Sequence, residues 1–340
     1  MKRQLRLHHQ PGTALRRKQR GTALHRKQRG TALLLAMVIL TLVATLTAAM
    51  VTQQQRAITV EAAERARAQA SWVLVGALDW ARLLLREDGR SGSIDHLGEP
   101  WATPLAEARL STFLAADRES PSADEGPEAF LSGQVLDLQA RYNLNNLLND
   151  EGKQVDLEVD VLTRLCQVLG LPDDVADRIA DGLEAAAQDG DDSAPLLPAN
   201  LAQLAWLGIE ADTIARLEGF AVLLPETSPV NVNTASREVL AAAVPGLDLG
   251  GAERLVQQRQ RTPFRTLDEI KRELPAAAQE TLPDSRLSVG SRYFEVLGRL
   301  RLEDRVFEER SVVERRGANQ GGEIIAIQRE RRSTLPGRPN

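Results

Sequence analysis

The chain has 340 residues, a net charge of −5, one cysteine and four histidines. This length suffices for two modest domains or for one domain with a large insertion. Residues 1–30 hold ten of the 42 Lys and Arg and no Asp or Glu, which leaves 32 basic against 47 acidic residues in the remainder. The acidic body argues against bulk binding of nucleic acid, which needs a positive surface.

Few residues are available for catalysis. Three of the four histidines, His8, His9 and His25, lie in the basic leader, and only His96 lies in the body. The single Cys166 cannot form an internal disulfide and is expected to be a small buried side chain on a helix. We therefore expect no Ser/His/Asp triad and no histidine metal centre in the body, unless His96 alone serves.

An apolar segment follows the leader. Residues 31–51 contain no charge, proline or glycine. As a helix this run would be about 31 Å long, which is enough to cross a bilayer core. The basic flank predicts a cytoplasmic amino terminus and a body on the other side of the membrane. A secretory signal peptide is the alternative, but its apolar region would be shorter, about 7–15 residues.

The junction between the leader and the apolar segment reads RKQRGTALL over residues 26–34. A basic stretch that ends in Gly30 directly before a long apolar helix resembles the processing site of type IV prepilins and pseudopilins. The resemblance implies cleavage between Gly30 and Thr31 by a prepilin peptidase, followed by N-methylation of Thr31. Glycine should keep the backbone extended and accessible there. Gly12 and Gly21 lie in two earlier copies of the same nine-residue repeat, but neither adjoins the apolar segment.

The fifth residue after that cut is Leu35. Most pilins and pseudopilins carry Glu at this position, where it is thought to neutralise the amino terminus of a neighbouring subunit. A chain without it resembles the K-type minor pseudopilins of type II secretion, the general secretion pathway protein K family. The resemblance implies a tip position in a short periplasmic filament, other minor pseudopilins as partners, and a bacterial inner-membrane anchor with a periplasmic body. It also implies a structural role, without enzymatic activity and without a cofactor.

The helix is predicted to continue far beyond the membrane. No proline occurs between Gly30 and Pro100, and residues 52–86 are rich in strong helix formers. About 55 residues could thus form one rod of roughly 80 Å. A single-pass anchor with a plain stalk would share this length but need not carry an apolar face. One apolar stripe at helical spacing is predicted to pack on a domain: Ala62, Ala66, Ala70, Val73, Ala77, Trp80 and Leu84.

The body predicts helices and strands, and the resemblance implies an α+β, pilin-like fold in which the long helix packs on an antiparallel sheet and a large all-helical domain is inserted. Residues 87–128 read as loop with a short helix near 105–115, and residues 134–149 alternate like a half-buried strand. The latter stretch resembles the K-type pseudopilins through Asp137, Gln139, Arg141, Asn143, Asn145 and Leu147. Helices are predicted at 157–169, 172–188, 198–207, 211–217, 236–244, 251–261 and 267–274. Strands are predicted at 293–304, 306–315 and 322–329.

These elements suggest six segments. They are a leader (1–30), a membrane and spine helix (31–86), the first part of a pilin-like domain (87–155), an inserted helical domain (156–284), returning strands (285–330) and a polar tail (331–340).

Residues 231–270 look like a helix-hairpin-helix unit with a cap at Thr234. Such units bind DNA backbones when a tight Gly-x-Gly turn presents amides to phosphate. A membrane-anchored, competence-type DNA receptor is therefore the alternative function. The turn between Gly246 and Gly250 is too long for that motif and carries Asp248 where a phosphate would sit. We therefore expect a packing role and no nucleic acid as partner.

A calcium site is the remaining sequence hypothesis. Asp189, Asp191 and Asp192 surround a glycine, and oxygen ligands at this spacing suit a hard cation. The stretch that follows lacks the distal Glu of an EF-hand, so an exposed acidic loop is the alternative.

Overall fold

The computed structural model describes residues 25–111, 128–188, 195–303, 305–317 and 322–334. The chain divides into two compact units, one up to Arg65 and one from Ala66 onward. The first unit contains the beginning of helix α1 (His25–Ser91), and every residue from 31 to 60 is exposed. The predicted uninterrupted helix is confirmed, because no proline breaks it and its residues are mostly strong helix formers.

The second unit is built around a five-stranded antiparallel sheet of order β1-β2-β7-β8-β9. Its strands are β1 (Leu105–Arg109), β2 (Ala129–Asp137), β7 (Tyr293–Leu302), β8 (Arg305–Arg316) and β9 (Glu323–Thr334). β2 pairs with β7 along its whole length, from Ala129 opposite Leu302 to Asp137 opposite Phe294. Two strands that are adjacent in the sheet are therefore separated by more than 150 residues of sequence.

The stretch of α1 from Ala70 to Leu85 lies against this sheet. Leu74, Leu78 and Leu85 are buried against strand residues such as Phe307 and Phe294. Trp101 packs edge-on against Phe294 with ring centroids 5.2 Å apart. Fully burying side chains of this size contributes about 1.5–3 kcal/mol each, so this layer is the core of the pilin-like part.

The buried face of α1 differs from the predicted apolar stripe. The buried residues are Ala70, Leu74, Leu78, Ala81 and Leu85, whereas Trp80 remains 58% exposed. The helix is apolar over a wider arc than one sheet can cover, so spacing alone could not decide which part of that arc is buried.

Between β2 and β7 the chain forms a mainly helical region. Its α-helices are α2 (Asp156–Val168), α3 (Val175–Ala187), α4 (Ala211–Leu217), α5 (Arg237–Ala243), α6 (Leu249–Arg261), α7 (Leu267–Glu273) and α8 (Ala276–Thr281). Two-residue strands form two parallel pairs, β3 (Tyr142–Asn143) with β4 (Ala221–Val222) and β5 (Val230–Asn231) with β6 (Leu287–Ser288). Short 3-10 helices in this region cover Leu138–Ala140, Leu144–Leu147 and Leu201–Leu207, and another covers Pro100–Ala102 before β1.

This helical region has its own core, which includes the fully buried Leu162, Leu165, Ile179 and Leu240. Cys166 lies in it at 2% exposure, and burial raises the pKa of its thiol to about 11. The expectation of a small buried side chain on a helix is confirmed, and the thiol is suited to packing and not to nucleophilic chemistry.

Four local predictions were wrong. Residues 105–109 form β1 and not a helix, because pairing with β2 overrides their helix propensity. The strand predicted at 134–149 begins at Ala129 and ends at Asp137, whose carboxylate accepts a hydrogen bond from the backbone N of Gln139 and so turns the chain. β9 includes residues 331–334 of the predicted tail, since Arg331 lies opposite Glu309 and pairs with it. α1 continues past residue 86 to Ser91.

The fold class is nevertheless confirmed. A long amino-terminal helix is followed by an antiparallel sheet, and helices fill the interval between the strands β2 and β7.

Candidate functional site

The apolar beginning of α1 is the first candidate site. It carries no charged group from residue 31 to residue 51, and it is exposed on all sides. Its threonine hydroxyls donate back to the helix, Thr41 to the Val38 carbonyl at 2.9 Å and Thr45 to the Leu42 carbonyl at 2.9 Å. A helix whose polar groups are satisfied internally and whose surface is apolar is suited to lipid or to other apolar helices.

Thr31 and Leu35 lie on this segment. Gly30 also lies within α1, so its backbone is helical and the extended conformation predicted there is wrong. The cleavage between Gly30 and Thr31 stays a prediction. The first carboxylate anywhere in the sequence is Glu61, which makes Leu35 part of a much longer stretch without any acidic side chain.

A buried polar joint lies where the sheet meets the helical region. The Asp137 carboxylate, at the end of β2, is 6% exposed. Its Oδ2 accepts hydrogen bonds from the hydroxyls of Thr234 and Ser291 at 2.6 Å each and from Asn231 Nδ2 at 3.0 Å. Burial raises the pKa of Asp137 to about 6, partly opposed by the Ser291 and Thr234 hydrogen bonds. One carboxylate thus ties β2 to β5 and to the chain entering β7.

A second cluster adjoins this joint at the carboxyl end of α1. The Arg315 guanidinium donates to Asp95 Oδ1 and to Asp88 Oδ2 at 2.9 Å each. Asp88, Asp95 and Glu99 bring carboxylate oxygens within 4.8 Å of one another. Burial first, then the Glu99 and Asp95 charges, raise the pKa of Asp88 to about 7. Because Arg315 already supplies the positive charge between two of these groups, the cluster fastens the helix to the sheet.

Sequence reasoning found Asp137 but missed Asp95, Asn231, Ser291 and Arg315. Each of them contacts a partner tens to hundreds of residues away, such as Arg315 and Asp95, which are 220 positions apart. No local pattern marks such pairs.

The calcium hypothesis falls outside the described residues, since Asp189, Asp191 and Asp192 all belong to the interval 189–194. Just before that interval, Gln154 Nε2 donates to Asp181 Oδ1 at 2.9 Å and to Glu184 Oε2 at 2.8 Å. These two α3 carboxylates therefore have an amide partner.

The helix-hairpin-helix segment forms α5, a turn and α6. Asp248 caps α6 by accepting a hydrogen bond from the Gly251 backbone N at 2.7 Å. A protein carboxylate thus occupies the helix N-terminus that a DNA phosphate would need. The cap of α5 is Ser236 and not Thr234 as predicted, because the Thr234 hydroxyl donates to Asp137 instead.

Comparison with known proteins adds three findings. Family models described as "Type II secretion system (T2SS), protein K" match residues 140–226 and 230–290. Type II secretion system protein K of Pseudomonas aeruginosa (strain PAO1) is 31% identical over 299 residues, which cover 80% of this chain and 84% of that protein. A crystal structure of the GspK-GspI-GspJ complex from enterotoxigenic Escherichia coli matches with a TM-score of 0.59 at 19% identity, covering 79% of this chain and 98% of that chain. At this level of identity, the likeness to the E. coli structure supports a shared fold alone.

Proposed function

The chain belongs to the type II secretion system protein K family and is a minor pseudopilin, and we propose that it occupies the tip of the periplasmic pseudopilus. There it initiates or caps the short filament that drives folded proteins across the outer membrane. One observation carries this proposal: position 35 holds leucine where most pseudopilins hold Glu, and no residue before Glu61 has a carboxylate side chain.

The physical argument concerns the amino terminus of a neighbouring subunit. In a filament core of apolar helices, a free amino group would be a buried cation, and an unpaired buried charge costs several kcal/mol. A Glu at the fifth mature position would neutralise that charge. Leu35 cannot neutralise it, so this subunit offers no partner for the charged amino group of an adjoining subunit. The subunit therefore fits the end of the filament better than its interior.

Processing and placement complete the proposal. A prepilin peptidase removes residues 1–30 and methylates Thr31, and residues 31–51 anchor the chain in the bacterial inner membrane. The body then lies in the periplasm, as the basic flank of the apolar segment predicts. Its partners are other minor pseudopilins, in keeping with the complex that the solved E. coli relative forms with GspI and GspJ. Its role is structural, and the chemistry is done to it by the peptidase.

The test of position replaces Leu35 by Glu. Leu35→Glu should let the subunit enter the filament shaft, where gold-labelled antibodies against the body would detect it along pseudopili in electron micrographs. Leu34→Glu is the matched control, because it adds the same charge one residue away. Wild-type subunits distributed along the whole shaft would contradict the tip assignment.

The test of processing is mass spectrometry of the mature amino terminus from cells with and without the peptidase. We expect N-methyl-Thr31 only when the peptidase is present. An uncut terminus, or a cut beyond Ala48, would contradict the proposed cleavage site.

A further inference from the structure

The sheet ends in a long edge strand, β9. It is the outermost strand of the order β1-β2-β7-β8-β9 and runs for 12 residues, Glu323–Thr334. The opposite edge strand, β1, has only five residues, and short edge strands are one way in which native sheets limit pairing with other chains. β9 lacks this protection, and every residue from 328 to 333 is exposed. Within the described part of the chain, no further strand lies beyond it.

The first part of β9 is already covered. Arg82 of α1 donates from Nε to the Ile324 carbonyl at 2.8 Å, and Ile324 is buried. At Ile327 the register with β8 shifts by one residue, and this β-bulge separates the covered part of the strand from the rest. Residues 328–333 therefore form the open edge of the sheet.

The hydrogen bonds of the sheet determine which backbone groups of the open edge are free. The Arg315 backbone N donates to the Arg292 carbonyl at 2.7 Å, so Arg315 of β8 bonds towards the side of β7. Successive residues of a strand bond to opposite neighbours, so Arg310 bonds towards β9, where Glu330 lies opposite it. The residues that alternate with Glu330 along the open edge direct their N–H and C=O groups away from the sheet: Arg329, Arg331 and Ser333.

The open edge is basic. It holds Arg329, Arg331 and Arg332 but one acidic residue, whereas acidic residues outnumber basic ones, 47 to 32, in the chain after residue 30. Arg332 pairs with that acidic residue, Glu330, at 2.7 Å, and Arg329 lies opposite the uncharged Ser311. Like charges that face each other across two strands are destabilising. The excess of arginine therefore disfavours pairing with a second copy and favours pairing with an acidic strand.

We propose that the open edge receives an extended acidic segment of a different protein, which adds to the sheet as a sixth strand. The main-chain groups of Arg329, Arg331 and Ser333 exchange hydrogen bonds with this segment, as in other cases of strand addition. Arg329 and Arg331 lie two residues apart and so share one face of the sheet. Carboxylates at alternate positions of the partner lie beside these two arginines and supply the specificity. The inference goes beyond the proposed function and does not depend on it.

Two pairs of variants test the charge and the backbone separately. Arg329→Ala removes the charge, and Arg329→Pro removes the outward N–H as well. Because that N–H does not bond to β8, proline should be accepted there, as it is on other edge strands. Ser333→Pro removes another outward N–H without a change in charge, and Ser333→Ala is its control. Arg254→Ala is the charge control, since it removes an exposed arginine from α6.

The probe is a fluorescein-labelled peptide in which glutamate and valine alternate, and fluorescence anisotropy follows its binding to the full chain in detergent micelles. Arg329→Ala should weaken binding about threefold, since one cross-strand charge pair is lost. Both proline variants should weaken binding about tenfold. Ser333→Ala and Arg254→Ala should leave the affinity unchanged, and a peptide with lysine in place of glutamate should bind about tenfold more weakly. Hydrogen exchange at residues 329, 331 and 333 should slow when the glutamate peptide binds.

Three results would overturn the proposal. The first is a wild-type chain that does not bind the glutamate peptide, or that binds it without slower exchange at residues 329, 331 and 333. The second is proline variants that bind like the alanine variants, while exchange at residues 328, 330 and 332 shows that β8 and β9 remain paired. The third is exchange at the open edge that slows with rising protein concentration in the absence of peptide, which would assign the edge to a second copy. None of these results bears on the filament position, which Leu35→Glu tests separately.

Discussion

Replacing Asp137 by Ala should loosen the joint between the sheet and the helical region. The change removes the 2.6 Å acceptor of the Thr234 and Ser291 hydroxyls and one of the three acceptors of the Asn231 amide, all of them buried. Each buried donor left without a partner costs about 1–3 kcal/mol. The carboxylate's own desolvation cost disappears at the same time. We expect a net loss of about 3–5 kcal/mol in the free energy of unfolding.

Asp137→Asn keeps the shape but is a poorer acceptor. Its amide has one oxygen, whereas the carboxylate serves the Gln139 backbone N on Oδ1 and three side-chain donors on Oδ2. Whichever way the amide turns, an NH₂ group faces at least one donor. The expected loss is about 1–3 kcal/mol.

Urea unfolding of the full chain in detergent micelles measures both losses. Trp101 is 1% exposed and reports unfolding of the pilin-like core by fluorescence. Hydrogen exchange of residues 230–234 and 290–292 should speed up in Asp137→Ala, because these segments lose their common acceptor. Asp79→Ala is the control, since that carboxylate is exposed and, within the described part of the chain, pairs with Arg82 on the same helix; the change should cost less than about 1 kcal/mol.

The reasoning would be refuted by an Asp137→Ala variant whose urea midpoint and exchange rates match the wild type. In that case the four hydrogen bonds would be incidental to the joint, and the helical region would be held by its apolar contacts alone.

Three further predictions concern pH, thiol reactivity and packing. Burial raises the pKa of Asp137 from 3.8 to about 6, so the folded chain binds the proton of this carboxyl more tightly than the unfolded chain does. Protonation of Asp137 therefore stabilises the fold fully below pH 3.8, and this stabilisation is lost as the pH rises through 6. The wild type should therefore show that fall in thermal unfolding scans, whereas Asp137→Asn should keep only the part near pH 7 that comes from Asp88. Cys166 should resist maleimide in the folded chain and react at once in urea, because its thiol is buried with a pKa raised to about 11; rapid labelling without urea would contradict its burial. Trp101→Ala should cost about 3–5 kcal/mol in urea unfolding followed by circular dichroism, since the variant lacks the fluorescent reporter, because it leaves a cavity against Phe294, and a loss below about 1 kcal/mol would contradict that packing.

Local features of the sequence predicted what local physics controls. The helix α1 follows from a long stretch of helix formers without proline, and its apolar start follows from composition alone. The boundaries of α4, Ala211–Leu217, agree with the predicted segment because short-range periodicity and flanking residues set them. The junction at Gly30 and the resemblance at Asp137 were also visible in the sequence, and they led to the family that the comparisons establish.

The tertiary structure alone decided the features that depend on distant partners. β1 is a strand because β2 lies beside it, although its residues favour a helix. The position of the sheet determines which side of α1 is buried, and it leaves Trp80 exposed. Asp137 joins the sheet to the helical region because it accepts hydrogen bonds from Asn231, Thr234 and Ser291, which follow it by 94 to 154 positions. A sequence pattern records what each residue prefers, but burial and hydrogen bonding depend on which distant groups fill the space around it, and only the folded chain fixes that.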